Sequence, residues 1–225
     1  MASLIVAGDV SGTCTLQAPS AAGSTVLTLP VIATDTLAGI AATQTLTNKT
    51  LVAPALGTPA SGVLTNCTGV SKAALPAGSV LQVANFQSGT VASGSTAIPV
   101  DNTIPQITEG NEYMTLSITP TSATSKLRVE VIMQAFSAAN YRTMALFQDS
   151  TANALAVSTA YNGAGTPSAP LAFSYTMTSG TTSSTTFRVR GGSGTAVLFT
   201  FNGDTGNAIF GSTLASSITI TEIAA

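Results

Sequence analysis

Lys126-Leu-Arg-Val-Glu-Val-Ile-Met-Gln-Ala-Phe136 decides the fold class. Leu127, Val129, Val131 and Met133 recur at every second position, which gathers them on one face of an extended backbone. Arg128 and Glu130 begin the opposite face, which turns apolar at Ile132 and Phe136. The same period runs through Leu171, Phe173, Tyr175 and Met177, which alternate with Ala172, Ser174, Thr176 and Thr178. Phe187-Arg-Val-Arg190, Thr195-Ala-Val-Leu-Phe-Thr-Phe201 and Ser217-Ile-Thr-Ile-Thr-Glu-Ile223 read the same way, as do stretches at 80–86, 112–118, 142–148 and 154–158. Asn162-Gly163, Ser179-Gly180, Gly191-Gly192 and Asn202-Gly203 supply turn signals between them. Strands at this spacing, with no helical period longer than two turns, predict an all-β fold for residues 79–225, a jelly-roll-like β-sandwich.

Upstream the text changes. All eight Phe and all four Tyr lie after residue 85, and only Asp9, Asp35, Lys49 and Lys72 carry charge before residue 77. Aromatic rings bring the largest burial areas, so a segment of Ala, Thr, Gly, Pro, Leu and Val is poorly equipped to build a private core. Either it is disordered or it folds against copies of itself or another protein. Thr13-Cys-Thr-Leu16 and Ser24-Thr-Val-Leu-Thr-Leu29 alternate and favour short ordered strands. Leu46-Thr-Asn-Lys-Thr50 recurs as Leu64-Thr-Asn-Cys-Thr68 with Pro54 and Pro59 between, a repeat that suits an extended stalk and excludes a helix. Pro76 and Gly78 punctuate the join, so the expected division is an extended, low-complexity anchor or shaft over 1–78 and a head over 79–225.

Charged residues are 7% of the chain, against roughly 25% in ordinary domains. The net charge of −2 offers no basic field, so nucleic acid is not an expected partner. Without a single His, the Ser-His-Asp and Cys-His nucleophile pairs and His-ligated zinc are excluded. Mean hydropathy is positive, yet Thr, Ser, Gly or Asn interrupts every apolar run long before the roughly 20 residues of a spanning helix, so no membrane insertion is expected. The start, Met-Ala-Ser-Leu-Ile-Val-Ala-Gly-Asp9, lacks a basic region and a long apolar stretch, which predicts a protein made in the cytoplasm.

Candidate chemistry is sparse. Glu109 and Glu112 form the closest acidic pair, the equipment of a glycosidase, although in a turn entering a strand they read as solvated loop charges. Asn202-Gly-Asp-Thr-Gly-Asn207 resembles an oxygen-rich Ca²⁺ loop but has too few acids, and reads as a hairpin. Arg188 and Arg190 share a strand face, as an anion patch or as cross-strand partners of acids such as Glu130. Asn48-Lys-Thr50 and Asn66-Cys-Thr68 match the glycosylation pattern but read as strand text. Cys14 and Cys67 are either incidental thiols or a structural disulfide. No catalytic residue, metal or cofactor is expected; the chain is not expected to be an enzyme.

Gly8-Asp-Val-Ser-Gly-Thr-Cys-Thr-Leu-Gln-Ala-Pro19, Ala22-Gly-Ser-Thr-Val-Leu-Thr-Leu-Pro30 and Thr43-Gln-Thr-Leu-Thr-Asn-Lys-Thr-Leu51 resemble the tail-fibre and related virion-fibre proteins of tailed bacteriophages. Ala53-Pro-Ala-Leu-Gly-Thr-Pro-Ala-Ser-Gly-Val-Leu-Thr-Asn-Cys-Thr-Gly69 continues the likeness, and Phe210-Gly-Ser-Thr-Leu-Ala-Ser-Ser-Ile-Thr-Ile-Thr-Glu-Ile223 is similar more loosely. The resemblance implies a virion surface protein, a homotrimer whose segment 1–78 meets other virion proteins and whose β head faces outward. A chain of 225 residues leaves room for only a short shaft, which favours a short fibre or a decoration protein on the capsid or neck. The expected host ligand is a surface glycan, contacted by Tyr141, Arg142, Tyr161 and Asn162, because aromatic rings stack on sugars while Arg and Asn donate hydrogen bonds. The competing role for the two tyrosines is to fill the trimer interface. A depolymerase acting through Glu109 and Glu112 is the enzymatic alternative.

Overall fold

The computed structural model describes residues 3–7, 13–17, 75–137, 141–161 and 170–225, and the chain divides into two units, Met1–Gly62 and Val63–Ala225. In the first, β1 (Ser3–Ala7) pairs antiparallel with β2 (Thr13–Gln17), setting Leu4 opposite Leu16 and Val6 opposite Cys14. The strand expected at Thr13-Cys-Thr-Leu16 is therefore present. Ser24–Leu29, both copies of the Leu-Thr-Asn-x-Thr repeat, and Cys67 lie outside the described residues.

The second unit is built on eight long strands: β3 (Val80–Ser88), β5 (Asn111–Ile118), β6 (Lys126–Met133), β8 (Tyr141–Gln148), β9 (Ala156–Tyr161), β10 (Leu171–Thr178), β11 (Thr185–Ser193) and β15 (Ser216–Ile223). They form two four-stranded antiparallel sheets, in the orders β10-β6-β15-β3 and β5-β11-β8-β9. Numbered one to eight along the chain, the long strands lie in the orders 6-3-8-1 and 2-7-4-5. Shorter strands β4 (Ala92–Gly94), β7 (Ala135–Ser137) and β12 (Phe199–Phe201) make a small third sheet, and β13 (Gly203–Asp204) pairs with β14 (Asn207–Ala208) in a tight hairpin.

The alternation read in the sequence dictates the packing. Leu127, Val129, Val131 and Met133 of β6 and Ile218 and Ile220 of β15 turn inward against Met114, Ile118, Met144, Leu146, Phe187 and Val189 of the opposite sheet. This is a β-sandwich whose main core lies between the two sheets, and each fully buried large side chain contributes about 1.5–3 kcal/mol. The outward face of the β10-β6-β15-β3 sheet is mostly polar, with Val83 and Ile132 exposed among its hydroxyls. Its rows pair Thr176 with Arg128 and Thr221, and Ser174 with Glu130 and Thr219. Its one ion pair, Arg128–Glu130 at 2.7 Å, is half-exposed and adds little stability.

Three readings of the sequence need correction. The stretch 126–136 is two strands, because the N–H of Gln134 leaves the ladder to donate to Ser216 Oγ at 2.8 Å. Thr195–Phe201 contracts to β12. Gly191 and Gly192 are not a turn: both lie within β11, where close approach excludes a side chain. A Cβ on Gly191 would sit 2.9 Å from the Phe199 ring, and one on Gly192 would sit 2.6 Å from the Thr96 carbonyl oxygen.

One acid faces inward. Glu222 follows Ile218 and Ile220 on the core side of β15 and is fully buried. Its carboxylate accepts from Ser125 Oγ (2.6 Å), Thr121 N (2.7 Å), Thr121 Oγ1 (2.8 Å) and Gln82 Nε2 (2.5 Å). Burial alone pushes the carboxyl up, but these donors outweigh it and hold the pKa down at about 2. The ionised side chain thus ties the connection between β5 and β6 to the last strand.

Candidate functional site

Tyr141 opens β8 and Tyr161 closes β9, and strand pairing sets them directly opposite one another. Their rings meet edge to face, with centroids 5.1 Å apart and planes at 66°. Both remain in solvent, Tyr141 at 38% and Tyr161 at 60% exposure. The next pair on the same face is Thr143 and Thr159, whose hydroxyls hydrogen-bond at 3.0 Å.

Across this face runs the connection between β4 and β5. The N–H of Ile98 donates to the Ser193 carbonyl, and Gly110 N–H to that of Ala97. Further on, Ile107 donates to Ala152, and Ala154 donates back to Pro105. Arg190 secures the far end by donating Nε to the Glu109 carbonyl (2.9 Å) and Nη2 to the Gly110 carbonyl (2.7 Å). Ile98 is thereby buried against Ala145 and Phe147, so β8 is covered on both faces. Between residues 98–105 and the strands lies an open cleft of about 240 Å³, lined by Val100, Asp101, Thr143, Val157 and Thr159 among others. Val100 and Tyr141 both approach the Cβ position of Gly194, so the tyrosine corner adjoins the cleft.

Of the four residues expected to contact a ligand, Tyr141 and Tyr161 are thus brought together at the surface. Arg142 is not available beside them. Neighbouring residues of a strand face opposite sides, so Arg142 turns inward, is 1% exposed, and donates Nη1 to the Ala135 carbonyl at 2.6 Å. Desolvation lowers its pKa. The signal was present in the sequence, since adjacency to Tyr141 on one strand already forbids a shared face. Asn162 lies outside the described residues.

The other candidates are engaged by neighbouring groups. Glu112 accepts from Arg188 Nη1 (3.0 Å) and Thr115 Oγ1 (2.5 Å) and lies 3.6 Å from Arg190 Nη1, while Glu109 Oε2 accepts from the N–H of Gln106 at 3.0 Å. The acid expected to pair with these arginines was Glu130, which instead pairs with Arg128 on the other sheet. Asn202 to Asn207 form the β13–β14 hairpin, with Thr205 and Gly206 at positive φ in its turn. The Asn202 side chain points inward, donating to the Ser88 carbonyl and accepting from Ser216 Oγ at 2.6 Å. Sequence reasoning missed Val100 and Asp101, whose one signal was the proline-bracketed connection Ile98-Pro-Val-Asp-Asn-Thr-Ile-Pro105, and Val157 and Thr159, which share the face of β9 with Tyr161.

No family model and no curated protein matches the chain. Among solved structures, it is similar to dimeric latent PorU from Porphyromonas gingivalis, with 11% identity and a TM-score of 0.30 over 69% of this chain. The match spans 14% of the PorU chain, and a likeness at this level carries no argument about activity.

Proposed function

We propose that the chain is a structural protein of the virion surface of a tailed bacteriophage. In this reading it is a short homotrimeric fibre, joined to other virion proteins through residues 1–78, with residues 79–225 displayed as a jelly-roll-like head that binds host-surface carbohydrate. The observation that carries the reading is strand order. The orders 6-3-8-1 and 2-7-4-5 of the long strands support a double-sheet jelly roll, an architecture used by viral capsid and lectin domains. Fold alone does not define function, so the fibre-like text of residues 8–69 supplies the biological context. The mode is binding rather than turnover, in keeping with Glu109 and Glu112 each engaged by neighbouring donors.

A second reading, a capsid decoration protein, is favoured by the outward face of the β10-β6-β15-β3 sheet. A surface of threonines and serines with Asn85, the exposed side chains of Val83 and Ile132, and few charges is suited to lying against another protein, since charge is depleted from interface centres. Particles lacking the chain separate the two. Lost adsorption with intact heads supports the fibre; leaking heads with normal adsorption support decoration. Particles unchanged in both respects contradict both readings.

A further inference from the structure

The cleft beside the tyrosine corner has a chemistry that narrows its ligand, and the inference rests on the carbohydrate-binding reading above. We infer that residues 98–105, β8 and β9 form a subsite for a neutral sugar and discriminate against acidic glycans. The geometry supplies each element of recognition. Tyr161, 60% exposed and braced edge-on by Tyr141, offers a ring face for the C–H surface of a pyranose. Val100 and Val157 are exposed at the cleft and extend that apolar wall. The Thr159 hydroxyl lies at the lining, and Asp101 provides a strong acceptor for sugar hydroxyls. Thr103 donates its side-chain O–H (2.6 Å) and its N–H (2.8 Å) to Asp101 Oδ1, holding the carboxyl below its ordinary range and orienting it.

Charge sets the selectivity. The ionised side chain of the lining is the Asp101 carboxylate, and the lining includes no cation. The flanking segments 138–140 and 162–169 contain no charged residue in their sequence. The cations of the sandwich are committed elsewhere: Lys126 to Thr178, Arg128 to Glu130, Arg188 and Arg190 to Glu112, and Arg142 to the interior. A uronic or sialic acid would meet an anion with no compensating partner, whereas a hexose would meet an acceptor, a hydroxyl and a ring.

The full chain should be tested for binding to dextran, yeast mannan and galactan as neutral probes, and to polysialic and polygalacturonic acid as charged ones. Saturable binding to a neutral probe, none to the acidic ones, and a loss of about tenfold in Tyr161→Ala at unchanged melting temperature is the expected result. Thr159→Val, at a second exposed position, should also weaken binding. Asp101→Lys should open the cleft to the acidic polymers. Binding of the native chain to an acidic probe, neutral binding indifferent to both Tyr161→Ala and Thr159→Val, or no binding to any probe overturns the inference. Each of these outcomes is independent of whether the chain resides on the particle, which the adsorption and leakage assays address.

Discussion

Ser125 and Glu222 meet in the interior of the sandwich, the serine hydroxyl donating to Glu222 Oε1 at 2.6 Å across almost a hundred residues of chain. Through this bond, and those from Thr121 and Gln82, a carboxylate on the core face of the last strand organises the loop that leads into β6. The arrangement makes fold stability depend on the charge of one group.

Because the folded pKa of Glu222 is held near 2 against an ordinary 4.5, its contribution is complete above about pH 4.5 and drains away as pH falls toward 2. A depression of that size corresponds to about 3 kcal/mol at neutral pH. Glu222→Gln should lose most of this at pH 7 and show a shallower loss of stability on acidification than the native chain. Urea denaturation at pH 7, 4 and 3 measures both effects. Parallel acid profiles for the two proteins would contradict the assignment.

Gly192 should not tolerate a methyl group. With the Thr96 carbonyl 2.6 Å from the Cβ position, backbone rather than a flexible side chain must move. Gly192→Ala should cost about 1–3 kcal/mol and loosen residues 96–98, visible as faster amide exchange at Ile98. Ser174→Ala, on the outward sheet face, should leave stability within about 0.5 kcal/mol.

Arg142 and Tyr161 should separate stability from binding. Arg142→Ala deletes a buried, hydrogen-bonded guanidinium and should destabilise the sandwich by about 2–4 kcal/mol. Tyr161→Ala should change the thermal midpoint little. Equal destabilisation by the two substitutions, read by thermal denaturation, would contradict the assignment of Arg142 to the interior and Tyr161 to the surface.

These contrasts show where sequence reading succeeds. Strict alternation in β6, β10 and β15 made their inward faces legible, because a strand's period is local. The same rule, carried through, would have turned Arg142 away from Tyr141 and marked Glu222, in step with Ile218 and Ile220, as an acid on the apolar face. Gly191 and Gly192 were opaque for another reason. A glycine needed for close approach and one needed for a turn are the same residue, and only the position of Phe199 and Thr96 tells them apart. The cleft was hidden because residues 98–105 have no periodicity, and their place across β8 depends on hydrogen bonds with Ser193 and Ala154, far along the chain.

Arg190 supports that cleft from a distance by holding the Glu109 and Gly110 carbonyls. Arg190→Met should therefore weaken ligand binding at the tyrosine corner while costing about 1–3 kcal/mol in stability. Arg190→Lys, which keeps charge but not the two-pronged geometry, should restore only part of either. Full recovery in the lysine variant, by binding titration and denaturation together, would mean that charge alone matters there.

The most direct measurement is a density map of the purified bacteriophage particle at a resolution that distinguishes β-sandwiches. The account predicts three copies of the head around a common axis on the outer surface, with residues 1–78 running inward to another virion protein. Particles that contain no copy of this chain, or a single isolated copy with no partner along residues 1–78, would contradict it.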